Sequence, residues 1–186
     1  MVQFKLVARL AVAIVFSYCL CAAGAAIAQP ASRDGAHDFD WEIGTWETQV
    51  RVRAPLSEAA AWTEFRGMSR VHALADGQSN LVDLDVESGD RRIEGVSLRL
   101  YDPQARQWSL NFASMADGRL TSPVYGSFDR GVGSFYGQDT VDGRVVLVRF
   151  VISDVRADSA RFVQSYSADG GQTWIDNWIA VDTRRR

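Results

Sequence analysis

The side chains able to do covalent or metal chemistry are few. The chain of 186 residues has two histidines, His37 and His72, two cysteines, Cys19 and Cys21, and one lysine, Lys5. Both cysteines and the lysine lie in an N-terminal stretch that reads as a secretory signal peptide over residues 1–28. Lys5 and Arg9 give its positive start, Leu10 to Leu20 its apolar run, and Ala26-Ile27-Ala28 a small-residue cleavage site. Cleavage removes 28 of the 186 residues, leaves 158 that begin at Gln29, and takes away every thiolate nucleophile, every disulfide and the only Schiff-base amine. A retained membrane anchor is the alternative, but the apolar run falls short of the roughly 20 residues that a span needs. A lipid on Cys21 is set aside because Ser17-Tyr18-Cys19-Leu20 before it is too bulky for a lipoprotein box.

What remains for catalysis is carboxylate, hydroxyl and arginine. A lone histidine is more often a surface or hydrogen-bonded structural residue than a ligand or base, and two of them make a histidine-rich metal site hard to assemble. Asp83 and Asp85 alternate onto one strand face, where a solvated surface explains them better than a cation site does. With no triad, metal-ligand spacing or phosphate loop, no metal and no cofactor are expected, and enzymatic activity is less expected than binding. Loss of Lys5 and Arg9 shifts the formal net charge from −3 to −5, which disfavours nucleic acid or an anionic membrane as the main partner. No stable membrane insertion is expected once the signal is removed.

Polar residues that interrupt apolar runs are the candidates for holding a ligand: Arg99, Asn111, Tyr125, Asp139, Arg149, Gln164 and Asn177. Arg149, between Val148 and Phe150 in the most apolar run, needs a partner, because an unpaired buried charge costs several kcal/mol. Asp139 and Gln164 on the flanking runs are the internal choices. The lumen of a closed barrel, facing an acidic or carbonyl-bearing ligand, is the slightly favoured alternative.

The elements that must position these residues are short strands. From Thr45 onward, runs rich in Val, Leu, Phe, Trp and Tyr are broken at short intervals by Gly, Asp and Pro. The runs are 45–53, 62–74, 79–87, 93–101, 107–113, 122–128, 133–140, 144–153, 160–167 and 173–183. Asp76-Gly77, Asp117-Gly118 and Asp142-Gly143 carry tight-turn chemistry, as do Ser88-Gly89-Asp90, Asp102-Pro103 and Arg130-Gly131. Residues 54–61 read as a loop or a helical turn. Within 93–101, Val96, Leu98 and Leu100 oppose Ser97, Arg99 and Tyr101. Within 107–113, Trp108, Leu110 and Phe112 oppose Ser109, Asn111 and Ala113, so each strand has one strongly apolar face. About ten consecutive antiparallel strands with no long helical segment predict an all-β, up-and-down β-barrel, with an open sandwich as the alternative. The domains expected are the signal peptide 1–28, a segment 29–44 that closes the barrel, and the barrel itself, 45–186.

Two local motifs bear on this architecture. Gly44-Thr45-Trp46 opens the first run and resembles the G-x-W signature of the lipocalin and wider calycin families. That resemblance implies a lipocalin-like barrel in which Trp46 plugs the closed end under an arginine, here Arg184. Ser167-Ala168-Asp169-Gly170-Gly171-Gln172-Thr173-Trp174 resembles the Asp-box of sialidases, S-x-D-x-G-x-T-W. It occurs once, in a chain too short for a propeller, so a structural hairpin is expected: Asp169 accepts turn amides and Trp174 packs beneath.

Taken in order, the FDWEIGTW segment, LRLYDPQARQWSL, GSFDRGVGSFYGQDT and VRFVISDVRADSARFVQSYSADGGQTWIDNW resemble a family of exported bacterial proteins of unknown function with a lipocalin-like, calycin-like barrel. The resemblance spans Asp38 to Arg184 and implies fold and export, with no catalytic residue. Haem-binding barrels of the nitrobindin kind share the G-x-W but continue with further glycines and bind iron through a C-terminal histidine. Thr48 stands where a glycine is needed and no histidine follows His72, so haem is not expected.

The leading expectation is a periplasmic or secreted protein holding a partly apolar small molecule in its lumen. The alternatives are a carboxylate-dependent isomerase or hydrolase at the barrel mouth with Asp139 or a neighbour as base, and a non-enzymatic envelope partner using its outer surface.

Overall fold

Period-two alternation and turn chemistry build the chain into eleven strands, described in a computed structural model over residues 34–186. The expected signal peptide 1–28 lies outside the described residues. The strands are β1 Gly44–Val52, β2 Thr63–Leu74, β3 Ser79–Ser88, β4 Arg91–Asp102, β5 Gln107–Ser114, β6 Arg119–Leu120, β7 Val124–Asp129, β8 Val132–Val141, β9 Arg144–Ser153, β10 Ser159–Ser167 and β11 Ile175–Arg184. Every pairing is antiparallel. The order runs β4-β3-β2-β1-β11-β10-β9-β8-β7-β5, and β4 pairs with β5 to close a barrel of ten strands. β6 is a two-residue arm on β5. The all-β barrel expected from sequence is therefore the fold, and closure removes the edges an open sandwich would expose.

The turns follow from their residues. Arg130-Gly131 and Asp142-Gly143 each take positive φ at both positions, as the two-residue hairpin turn matched to strand twist requires. The segment 54–61 is an irregular loop. The strand expected over 122–128 begins at Val124, and β6 ahead of it has too few residues to leave a periodic signal.

The inner face is set by strand parity, and at β4 it inverts the simplest reading of the alternation. Ser97, Arg99 and Tyr101 point inward, whereas Leu100 is 44% exposed on the outer wall. On β5 the apolar set is the inner one: Trp108 and Leu110 are buried.

Residues ahead of β1 fill one part of the barrel. A 3-10 turn, Asp40–Glu42, follows Phe39, whose ring packs edge-on against Trp108 and Phe128 and stacks near Phe135. The Trp108 indole donates to the Gly35 carbonyl at 2.9 Å, and the Tyr101 hydroxyl donates to Asp34 at 2.8 Å. The segment that carries Phe39 is thus held by aromatic contact and by side-chain hydrogen bonds to Gly35 and Asp34. A second cluster, Val50, Phe65, Val86 and Ala180, occupies another part of the interior.

Candidate functional site

The G-x-W segment fixes the register of the interior. Gly44 takes a φ of +133°, and a Cβ there would fall 2.7 Å from the Arg184 guanidinium, so glycine is required on both counts. Arg184 lies opposite Trp46 across the β1–β11 pair, and its guanidinium carbon is 4.1 Å from the Trp46 ring centroid. It donates to the carbonyls of Ile43, at 2.9 Å, and Trp41. The Trp46 indole donates to the Glu42 carbonyl at 2.6 Å.

With Trp46 and Arg184 inward, a period of two turns Thr48, Val50, Asp182 and Ala180 inward as well. These residues line a cavity of about 130 Å³, together with Trp41, Glu42, Ser69, Leu84, Ser97, Arg99, Phe112, Phe150, Phe162, Gln164 and Trp178, among others. The cavity is mostly apolar and aromatic, with its polar groups in two sets.

The first set surrounds Arg99. Its guanidinium makes a two-pronged ion pair with Glu42, Nη1 to Oε2 and Nη2 to Oε1, and lies 4.4 Å from the Phe39 ring centroid. Both partners are nearly buried. Burial pushes the Arg99 pKa down to about 9, against the attraction of Asp182, so the group remains charged at neutral pH. Asp182 accepts a hydrogen bond from the Thr48 hydroxyl at 2.6 Å, and Thr48 is bonded in turn to Ser69. With the Thr48 proton committed to Asp182, the Ser69 hydroxyl is the donor of that second bond. Burial raises the Asp182 carboxyl above the usual carboxylate range, while the Thr48 bond and then Arg99 pull it back.

The second set begins at Gln164. Its amide donates to the Tyr166 hydroxyl and to Asn177 Oδ1, both at 3.1 Å, and the Tyr166 hydroxyl donates to Asp139 at 2.9 Å. Burial, then the neighbouring Asp139, pushes the Tyr166 phenol up, so it serves as a hydrogen-bond donor at any physiological pH. Asn177 sits at a β-bulge between β10 and β11, where the register shifts after Gln164.

Of the seven polar candidates from sequence, Arg99 and Gln164 line the cavity, and Asp139 and Asn177 join the Gln164 network. The other three are on the outer wall. Asn111 caps the Leu98 carbonyl at 3.1 Å, and Tyr125 is 48% exposed. The favoured lumenal placement of Arg149 is corrected. Arg149 stands opposite Tyr136 and Ser165 on the outer face, its guanidinium 4.5 Å from the Trp174 ring centroid. Apolar neighbours on both sides made Arg149 look interior; what covers the outer wall there is the hairpin carrying Trp174. Asp139 lies opposite Val146 and not beside Arg149.

That hairpin is built on Asp169. Its carboxylate accepts from the amides of Gln172 and Thr173 and from the Thr173 hydroxyl, at 2.6 to 3.0 Å, and from Ser167 at 2.7 Å. The Thr173 bonds, first among these donors, hold it well below the usual carboxylate range. Gly170 and Gly171 both take positive φ, and the Trp174 indole donates to the Gly171 carbonyl.

Sequence reasoning missed Glu42, Thr48, Ser69 and Asp182. For Thr48 and Asp182 a signal existed: each is two residues from a member of the Trp46–Arg184 pair. Asp83 and Asp85 face outward, and Asp85 takes two bonds from Arg92 at 2.8 Å.

No protein-family model matches this chain, and no curated protein matches it. Among solved structures, it resembles the S-type phycobiliprotein lyase CPES from Guillardia theta at 11% identity and a TM-score of 0.57, over 83% of this chain and 94% of that one. A protein of unknown function from the DUF3598 family of Nostoc punctiforme aligns over 82% of this chain and 100% of that one, at 8% identity. Its TM-score of 0.25 is too low to establish a shared fold. The phycobiliprotein lyase is a likeness of fold, and the fold is that of a lipocalin-like barrel.

Proposed function

We propose that this protein is an exported binding protein that holds a small, partly apolar molecule in the barrel cavity. The observation that carries the reading is the polar set of buried Arg99, Thr48 and Ser69 with half-buried Glu42 and Asp182, placed against aromatic walls in a closed barrel. Buried charges cost stability unless paired, and an ion pair beside a cavity orients a ligand where a purely apolar core would serve folding better. The barrel shared with the phycobiliprotein lyase is compatible with this role and brings no residue assignments, since at 11% identity it carries the fold alone.

Export rests on the signal-like segment, and the test is N-terminal sequencing of protein from the periplasm or medium, with Gln29 expected first. Binding is tested by native mass spectrometry of the protein purified without denaturant. A retained small-molecule mass is expected, absent from Ser97→Phe, which fills the cavity. A clean protein mass that binds no small aromatic probe would overturn the reading. Catalysis at Asp139 has less support, because that carboxylate is engaged by Tyr166 and lies in the network beyond the cavity.

A further inference from the structure

The charges inside the cavity do not cancel, and the imbalance bears on the ligand. Arg99 is the inward-facing cation that lines the cavity; both of its terminal nitrogens are committed to Glu42, and its buried Nε has no hydrogen-bond partner. Arg161 also borders the cavity, but it falls between inward Ala160 and Phe162 and stands opposite Val181, with its side chain on the outward parity. Arg184 is spent on Trp46 and the carbonyls of Trp41 and Ile43. Asp182 has one oxygen bonded by Thr48, and among the described residues its second oxygen accepts no hydrogen bond, though the carboxylate feels the attraction of Arg99. A carboxylate ligand would therefore find no guanidinium with both terminal nitrogens free, only the single unpartnered N–H groups of Arg99 Nε and Trp41 Nε1, and would meet Asp182 as a like charge. An uncharged ligand would leave the Asp182 charge with the Thr48 bond and the attraction of an Arg99 already paired with Glu42, and with no cation of its own.

Resting on the binding role proposed above, we infer that the cavity takes a compact ligand bearing a protonated amine, with Asp182 as its counter-ion and the rings of Phe112, Phe150, Phe162 and Trp178 around its body. An ammonium group close to such rings gains cation–π attraction in addition to the ion pair. Size agrees: a dry cavity of about 150 Å³ takes benzene, so about 130 Å³ suits a single ring or a short aliphatic body. The Ser69–Thr48–Asp182 chain points its hydroxyl protons toward the carboxylate, which favours its ionised form once a cation is present.

The experiment is calorimetric titration of the folded protein at neutral pH with benzylamine, benzyl alcohol and benzoate, three probes that share a ring and differ in charge. Benzylamine should bind most tightly and benzoate least. Asp182→Asn, which keeps the size and the acceptor for Thr48, should weaken benzylamine by roughly tenfold or more, the worth of a charge-assisted hydrogen bond, and weaken benzyl alcohol, which brings no charge, by clearly less. Ser97→Phe should abolish benzylamine binding. Benzoate or benzyl alcohol binding as well as benzylamine, or an unchanged benzylamine affinity in Asp182→Asn, would overturn the amine inference and leave the cavity reading standing. Failure of all three probes would overturn both, and the comparison of probes on the wild-type protein decides the matter if the variant does not fold.

Discussion

The guanidinium of Arg149 lies between the outer barrel wall and the Trp174 ring, which Tyr136 meets edge-on with centroids 6.2 Å apart. A cation over an indole in a partly covered position contributes about 1–2 kcal/mol, and the methylene stem contributes packing. Methionine preserves the stem and removes the charge. Arg149→Met should therefore lower stability by about 1–2 kcal/mol in urea unfolding, with no change in benzylamine affinity, because the residue is on the opposite side of the wall from the cavity. A loss of affinity with unchanged stability would place the guanidinium in the lumen after all.

At the scale of elements, the Arg99–Glu42 pair fastens the 3-10 turn to β4, so the segment ahead of β1 is held by an ion pair as well as by Phe39. Removing one partner strands a buried charge, and Arg99→Met should cost about 3–5 kcal/mol. Replacing both, as Arg99→Met with Glu42→Leu, should recover most of that loss, which a double-mutant cycle on urea midpoints would measure; additive losses would show that the pair is not coupled. The ten barrel strands were readable in advance because their turns carry Gly, Asp and Pro, and because β-branched and aromatic runs leave a strong period-two signal. Facing was harder to read. At β4 the outward set Val96, Leu98 and Leu100 is more apolar than the inward set, because this strand supplies Ser97 and Arg99, two of the few polar groups of an otherwise apolar cavity. Glu42 escaped notice for a different reason: it precedes the strands, and only the tertiary fold brings a turn residue against Arg99, 57 positions away.

For the barrel as a whole, stability over the described residues 34–186 comes from closure and packing, since both cysteines precede them. Melting temperatures of the chain that begins at Gln29, the product of the proposed cleavage, should coincide with and without reductant, and a difference of many degrees would reveal a thiol-dependent fold. Its response to pH should be set by two aspartates acting in opposite directions. Asp169 is held below its ordinary value by the Thr173 and Ser167 bonds, so the unfolded chain takes up a proton before the folded one. Its contribution is complete above the unfolded value of about 3.9 and is lost as pH falls from there through the folded value. Asp182 is raised by burial, so the folded chain holds its proton longer. Stability then declines as pH rises from about 3.9 through the raised value, and neutral pH bears the full cost of the ionised carboxylate. Asp182→Asn removes that cost and should melt higher than wild type at pH 7, with the gap closing as pH approaches 4. Asp169→Ala should melt lower than wild type at pH 7, and its deficit should shrink only below pH 4. Melting curves of the three proteins across that range separate the two effects. If Asp182→Asn melts lower than wild type at pH 7, attraction to Arg99 outweighs desolvation, and the carboxylate is part of the barrel's own ion-pair network and not a charge waiting for a ligand.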